Sequence, residues 1–329
     1  DEGILRRQYD SMKAWVSFMA AHTDADGIFS YKMQFGDWLA LDGDPQTPLG
    51  ATPTPLTCSI YNIVSTRIVA KTARIFDYLL EAEIYDRRLE NLIGHFRQNY
   101  FTDEGLLKVD TQTAYAMVLA YGLAEDGQRT ALAARLADLI ERDGGHLVTG
   151  FMGTPCLCQA LSENGQAEAA WKLLLREEFP GWLYPVKMGA TTIWEHWDGL
   201  RPDGSFCDPK MNSFNHYAYG AIGDWLYRFA AGLDIDEDKP GYQNIKFQPQ
   251  PGGGLSYAEA SHMTPYGRAA IRWEQSDQLV TVTLVVPANA TAALRLVNVQ
   301  ELIETDGLLF TDDQADLGSG SYRVVYRCQ

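Results

Sequence analysis

From the first residue to about 232, apolar side chains recur at spacings of three and four, the period of a helix that buries one face. Leu5, Tyr9, Met12, Val16 and Met19 line one stripe, Leu56, Ile60 and Val64 begin a second, and Leu89, Leu92, Ile93, Phe96 and Tyr100 make a third. Further helices fit about 110–123, 127–142, 154–163, 165–177 and 212–231, with Gly127, Gly144-Gly145 and Asn164-Gly165 as breaks. Roughly eight helices in succession, with no strand between them, restrict this region to a bundle, a solenoid or a closed α/α toroid. No fixed-period repeat is visible, which weighs against the solenoid. Two connections, 21–54 and 178–211, are long and rich in Gly, Pro, Asp and aromatics, and structureless segments of that length inside a compact domain usually carry function.

After Gly232 the pattern changes. Residues 233–254 read as a connector punctuated by Pro and Gly, and 255–329 as a small antiparallel β-domain. Its short alternating runs are Ala270 to Trp273, Leu279 to Val286, Ala293 to Val297 and Tyr322 to Tyr326, with a hairpin turn at Ser276-Asp277-Gln278. A packing module is the plainest role for it.

Charge and composition narrow the function. Lys and Arg total 27 against 43 Asp and Glu, a formal charge of -16, so the surface repels phosphate backbones and anionic lipids, and neither nucleic acid nor membrane is an expected partner. No stretch approaches the ~20 apolar residues that cross a bilayer, and Asp1-Glu2-Gly3 lacks the basic and apolar regions of a signal peptide. A cytoplasmic location is the expectation for the chain as given; a secreted or periplasmic one would need a preceding segment. Cysteines 58, 156, 158, 207 and 328 have no Cys-x-x-Cys pair and read as reduced, mostly buried thiols. His146 has no second ligand at metal spacing, and there is no His-Glu-x-x-His, P-loop or Gly-x-Ser-x-Gly, so neither metal nor cofactor is expected.

Three clusters could carry chemistry. In Gly189-Ala190-Thr191-Thr192-Ile193-Trp194-Glu195-His196-Trp197-Asp198-Gly199, a carboxylate stands between two tryptophans, flat apolar walls suited to a sugar ring. Glu195 is the leading catalytic candidate, although Trp194 and Trp197, three apart, also fit one turn of a buried helix with Glu195 on its wet side. In Phe35-Gly36-Asp37-Trp38-Leu39, Asp37 suits either sugar hydroxyls or a helix cap, with Trp38 packing on an apolar face. In Met211-Asn212-Ser213-Phe214-Asn215-His216-Tyr217, Asn212 or Ser213 is a natural N-cap, and His216 serves equally well as a ligand-binding or an interior histidine.

Taken in order, six motifs resemble the bacterial α-L-rhamnosidases of glycoside hydrolase family 78. They are Gly36-Asp37-Trp38-Leu39, Gln112-Thr113-Ala114-Tyr115, His146-Leu147-Val148-Thr149-Gly150-Phe151, Gly189 to Glu195, Asn212-Ser213-Phe214-Asn215-His216 and Pro287-Ala288-Asn289. The resemblance implies a mainly α protein, an (α/α)6 toroid followed by an antiparallel β-sandwich. It further implies an inverting hydrolase that releases terminal α-L-rhamnose from rhamnose-containing glycosides. Glu195 matches the family's general base, and Asp37, Trp38 and His216 match positions lining the rhamnose subsite; Asn215, Trp194 and Trp197 stand beside them. The family's general acid lies in an acidic, Trp- and Gly-containing motif upstream of the region where this chain starts, and about eight helices fall short of the ~12 that six hairpins require. The toroid is therefore expected to be incomplete at its N-terminus, and its exposed apolar faces to favour an oligomer or a partner segment. A carbohydrate-binding chain that cannot cleave is the alternative, and a toroid acting on another sugar is a third.

Overall fold

The computed structural model describes residues 1–328 and divides into two compact units, Asp1–Tyr219 and Gly220–Gln329. The first unit holds α1 (Glu2–Ala21), α2 (Thr54–Ile75), α3 (Leu79–Tyr100), α4 (Gln112–Ala120), α5 (Asp126–Arg142), α6 (Thr154–Glu163), α7 (Ala167–Leu174) and the short α8 (Leu183–Lys187). Local chemistry sets several of the starts. The Asp1 carboxylate accepts from Gly3 N, the Thr111 hydroxyl accepts from Ala114 N, and Glu125 with Gln128 closes a capping box on α5.

Helices pair as α2/α3, α4/α5 and α6/α7, and α2, α4 and α6 also pack in succession on one another. Burial explains this layering. Every residue of α4 from Gln112 to Leu119 is buried, and α6 buries Thr154, Cys156, Leu157, Cys158, Ala160, Leu161 and Ser162, so both must be covered all round. By contrast α5 buries a single stripe, Leu132, Ala133, Leu136, Leu139 and Ile140, and α3 only Ala82, Leu92, Phe96 and Tyr100. An inner row of fully covered helices backed by an outer row of one-faced helices is the arrangement of consecutive hairpins in an α/α barrel.

The helix that periodicity predicts over 212–231 is shorter. Residues 211–217 are irregular, and helical structure begins only with a 3-10 turn at Ala218–Ala221, continuing through α9 (Ile222–Trp225) and a π turn (Leu226–Ala231) to Gly232. Asn212 and Ser213 therefore cap nothing. Their stretch gives its backbone to another segment: Glu195 N donates to Ser213 O at 2.8 Å and His216 N to Ile193 O at 2.9 Å, groups that a helix would have used internally.

The second unit is a β-sandwich on the 220–231 helical turns. One sheet has the order β1 (Leu233–Ile235), β2 (Asn244–Phe247), β6 (Thr291–Arg295), β8 (Gln314–Leu317). The other has β3 (Tyr257–Thr264), β4 (Gly267–Ser276), β5 (Leu279–Val286), β9 (Gly320–Cys328), β7 (Val299–Glu304). Thus 233–254 is more than a connector, because Leu233, Ile245 and Phe247 from its two strands enter the core with Trp273, Val282, Leu284, Leu294 and Val324. β2 and β6 run parallel, so the first sheet is mixed. The β4–β5 hairpin turns at Asp277-Gln278, with Ser276 opposite Leu279 and Asp277 at φ 53°. Trp273, fully buried, donates its indole N–H to Ala230 O at 2.6 Å and so fixes the helical turns against the sheet.

Candidate active site

The two acid-tryptophan motifs sit in very different surroundings. Asp37, in the 21–54 connection, is 1% exposed. Its Oδ2 accepts from the Thr113 hydroxyl and from Gly150 N at 2.9 Å, and its Oδ1 accepts from Met152 N at 2.8 Å and Gly153 N at 3.1 Å. A carboxylate offers about four acceptor positions, and here protein donors fill them all. Burial pushes the Asp37 carboxyl above the usual carboxylate range, against the opposing pull of Thr113 and the three amides. Asp37 thus anchors the 150–153 loop to the start of α4, and any effect on a ligand passes through that loop.

The rest of the loop is laid directly on the Asp37 segment. Phe151 N donates to Trp38 O at 2.9 Å and Leu41 N to Val148 O at 2.8 Å. Gly150 makes the approach feasible, since a Cβ there would lie 2.2 Å from Trp38 O. Gln112 holds the other end, donating to Asp143 Oδ2 and His146 O and accepting from Val148 N.

Glu195 is only half-buried. Its Oε2 accepts from Ser213 N at 2.9 Å, while among the described residues Oε1 has no protein partner. Residues 192–195 and 213–216 are laced together by this bond, the two backbone bonds given above and a hydrogen bond from the Thr192 hydroxyl to Phe214 O. The stretch is irregular, so Trp194 and Trp197 do not form a helical turn. Both indoles are buried. Trp197 stacks on Tyr219 at 3.8 Å and meets Trp182 edge-on, and Trp194 meets Phe214 edge-on.

His216 joins the two loops. Its ring stacks on Phe151 at 4.9 Å, Phe151 meets Tyr219 edge-on, and Ala218 N donates to His216 Nδ1 at 3.3 Å. Contacts therefore run from Glu195 through Ser213 and His216 to Phe151, and on to Trp38 and Asp37. Burial, and after it the carboxylates of Asp37, Glu195 and Asp198, raise the phenol of Tyr219 well above its ordinary range. Asn215 is exposed, its N–H donating to the Ser213 hydroxyl.

The residue pattern gave no part in the site to Thr113, Gly150, Phe151, Met152 or Tyr219 and marked Ser213 only as an N-cap, although Thr113, Gly150, Phe151 and Ser213 lie inside the family-like motifs. An apolar cleft of about 390 Å³ adjoins the Asp37 loop, lined among others by Trp15, Phe18, Tyr31, Phe35, Tyr61 and Met152. Near Glu195, burial, and after it the Asp198 carboxylate, pushes the Cys207 thiol up to about 11. Asp198 itself pairs with Arg201 at 3.0 Å.

A family model described as the bacterial α-L-rhamnosidase six-hairpin glycosidase domain matches residues 1–230, and one for the bacterial α-L-rhamnosidase C-terminal domain matches 232–307. An α-L-rhamnosidase of Streptomyces avermitilis is 34% identical over 99% of this chain and 31% of its own length; one of Formosa agariphila is 35% identical over 95% and 34%. The structure of the Streptomyces avermitilis enzyme complexed with L-rhamnose superposes with a TM-score of 0.89 at 33% identity, covering 99% of this chain and 31% of that one. The native Aspergillus terreus enzyme gives 0.89 at 31% identity, covering 100% and 37%. The chain spans about a third of the length of the relatives it matches.

Proposed function

Because this chain belongs to the bacterial α-L-rhamnosidases of glycoside hydrolase family 78, we propose that it forms part of an inverting glycoside hydrolase that releases terminal α-L-rhamnose, with Glu195 as general base. One observation carries the reading: the Glu195 carboxylate is held at Oε2 by Ser213 N and has Oε1 open, in contact sequence with His216, Phe151 and Trp38. An inverting enzyme needs a base that is fixed in place yet keeps one oxygen free to take a proton from water. Trp38 and His216 line the rhamnose subsite, Asp37 shapes it through the 150–153 loop, and Trp194 and Trp197 flank Glu195 in the chain, their indoles packed on Phe214, Tyr219 and Trp182. A deoxysugar suits such a mixed surface, since its methyl group favours aromatic carbon and its hydroxyls favour imidazole and carboxylate. The apolar cleft beside the Asp37 loop receives an aromatic or otherwise apolar aglycone.

Inversion also needs a proton donor roughly 6.5–9.5 Å from the base. Asp37 has every acceptor position filled and Asp198 is ion-paired, so neither is poised for that task. The acid in this proposal comes from sequence outside these 329 residues. The same observation favours a second reading for the chain assayed alone, a rhamnose-binding body that does not cleave.

The test is a Glu195→Gln variant of a form that includes the family's upstream acidic motif, assayed on p-nitrophenyl α-L-rhamnoside. Turnover is expected to fall by about 10²–10⁴-fold, the usual contribution of a general base, with rhamnose binding retained. Near-normal turnover would sink the assignment. The 329-residue chain by itself is expected to bind rhamnose and turn nothing over.

A further inference from the structure

Beyond the groups used above, three side chains able to ligate a metal converge just after Glu195. His196, Asp198 and Cys207 each offer one ligand atom, and these atoms all lie within 4.8 Å of one another. A backbone hairpin brings them together: Leu200 and Phe206 form an antiparallel bridge and Arg201 N donates to Ser205 O at 2.9 Å, which returns Cys207 beside Asp198. His196 Nε2 is sealed from solvent and has no hydrogen-bond partner among the described residues, an unusual state for a buried ring nitrogen. Asp198 commits Oδ2 to Arg201, leaving Oδ1 for another partner. Cys207 is a free thiol.

We propose that His196, Asp198 and Cys207 bind a thiophilic divalent cation, Zn²⁺ by their ligand chemistry. Imidazole and thiolate with one carboxylate is a zinc donor set, whereas Mg²⁺ and Ca²⁺ take oxygen ligands alone. Tetrahedral zinc, with bonds of ~2.0 Å to nitrogen and ~2.3 Å to sulfur, holds its ligand atoms roughly 3.5 Å apart, so side-chain rotations of about an ångström close the set and water fills the fourth position. Binding forms the Zn–S bond as the Cys207 S–H bond breaks, and the proton passes to solvent, one per cation. The cation would staple the segment following Glu195 to the 200–207 hairpin. Sequence spacing hides the site, because His-x-Asp followed nine residues later by Cys matches no familiar ligand pattern.

Cobalt titration of the purified 329-residue chain tests this, since Co²⁺ bound to a thiolate absorbs in the near ultraviolet. One equivalent of Co²⁺ is expected to give that absorption, Zn²⁺ to bleach it, and one proton to be released per Zn²⁺ in weak buffer. Cys207→Ser should remove the absorption and weaken Zn²⁺ at least about tenfold, given that loss of even an outer partner of a metal site weakens binding 10–100-fold. His196→Gln should weaken Zn²⁺ similarly, and Cys328→Ser should change neither. No absorption in excess Co²⁺ would overturn the proposal, as would absorption that survives Cys207→Ser or disappears with Cys328→Ser. None of these readouts depends on hydrolysis, so they stand or fall apart from the catalytic reading.

Discussion

Asp37 and Glu195 each stand beside a tryptophan in a long connection of the helical unit, yet the chain treats the two carboxylates in opposite ways. Asp37 is sealed, with four donors on two oxygens, and it holds a loop. Glu195 receives one backbone amide and keeps an oxygen open. Burial with full satisfaction makes a carboxylate rigid and chemically silent; partial burial with one free oxygen makes it positioned and reactive. The difference comes from what each loop meets. The Asp37 loop lies against the 150–153 amides and the inner helix α4, while the Glu195 loop lies along the irregular 213–216 segment.

Substitutions at the two acids give the largest contrast. In a form that includes the upstream acidic motif, the proposed role of Glu195 predicts that Glu195→Gln lowers turnover by the two to four powers of ten given above, whereas Glu195→Ala should shift stability by less than about 1 kcal/mol because the group is half-exposed and has a single side-chain bond to lose. Asp37→Ala should reverse the pattern. It strands the Thr113 hydroxyl and three buried N–H groups, so a loss of at least about 3 kcal/mol is expected in a denaturant melt. Equal stability losses at the two positions would break the comparison.

Gly150→Ala tests the Asp37 side alone, because it leaves both acids in place and disturbs the contact between the Asp37 segment and the 150–153 loop. The added methyl would fall on Trp38 O, and the backbone shift it forces should destabilise by about 1–3 kcal/mol and weaken rhamnose binding as well. A melt that moves with no change in rhamnose affinity would show that the 150–153 loop does not shape the subsite.

The smallest effect is expected from a third acid, exposed and without a part in the site. Asp110 pairs with Arg135 and Arg142, and the hydrogen bond from Arg135 holds its carboxyl below the usual range. A depressed value stabilises the fold above the unfolded-state pKa, near 3.9, and that contribution is lost as pH falls through the depressed value. Because the pair is largely solvated, Asp110→Asn should cost no more than about 1 kcal/mol at neutral pH and nothing at strongly acid pH, as read from melts at both.

Much of the fold was legible because burial leaves a periodic trace. The stripes on α1 and α3 locate helices whose one face is covered, and the alternation of β5 gives a strand with one face inward. The trace failed where long-range hydrogen bonds replaced local ones. Residues 212–217 have a helix-like sequence, but their amides and carbonyls are taken by residues 192–195, far away in the chain. Leu233 to Ile235 and Asn244 to Phe247 are too short to alternate visibly, and only pairing with each other and with β6 makes them strands.

The candidate site shows the same division. Residue types alone marked Glu195, Asp37, Trp38 and His216, since acids among tryptophans and a histidine in an aromatic run are uncommon, and the order of motifs placed the chain among the rhamnosidases. Only the tertiary structure decided which acid is sealed and which is open, that Trp197 stacks on Tyr219 and Trp194 meets Phe214, that Phe151 links His216 to the Trp38 loop, and that His196, Asp198 and Cys207 meet. The physical reason is that reactivity depends on how many donors and how much water reach a group, and those neighbours come from other segments, 18 residues on for Glu195 and Ser213 and 113 for Asp37 and Gly150. Composition and periodicity record what each residue is and whether it is covered; they carry no record of which distant residue does the covering.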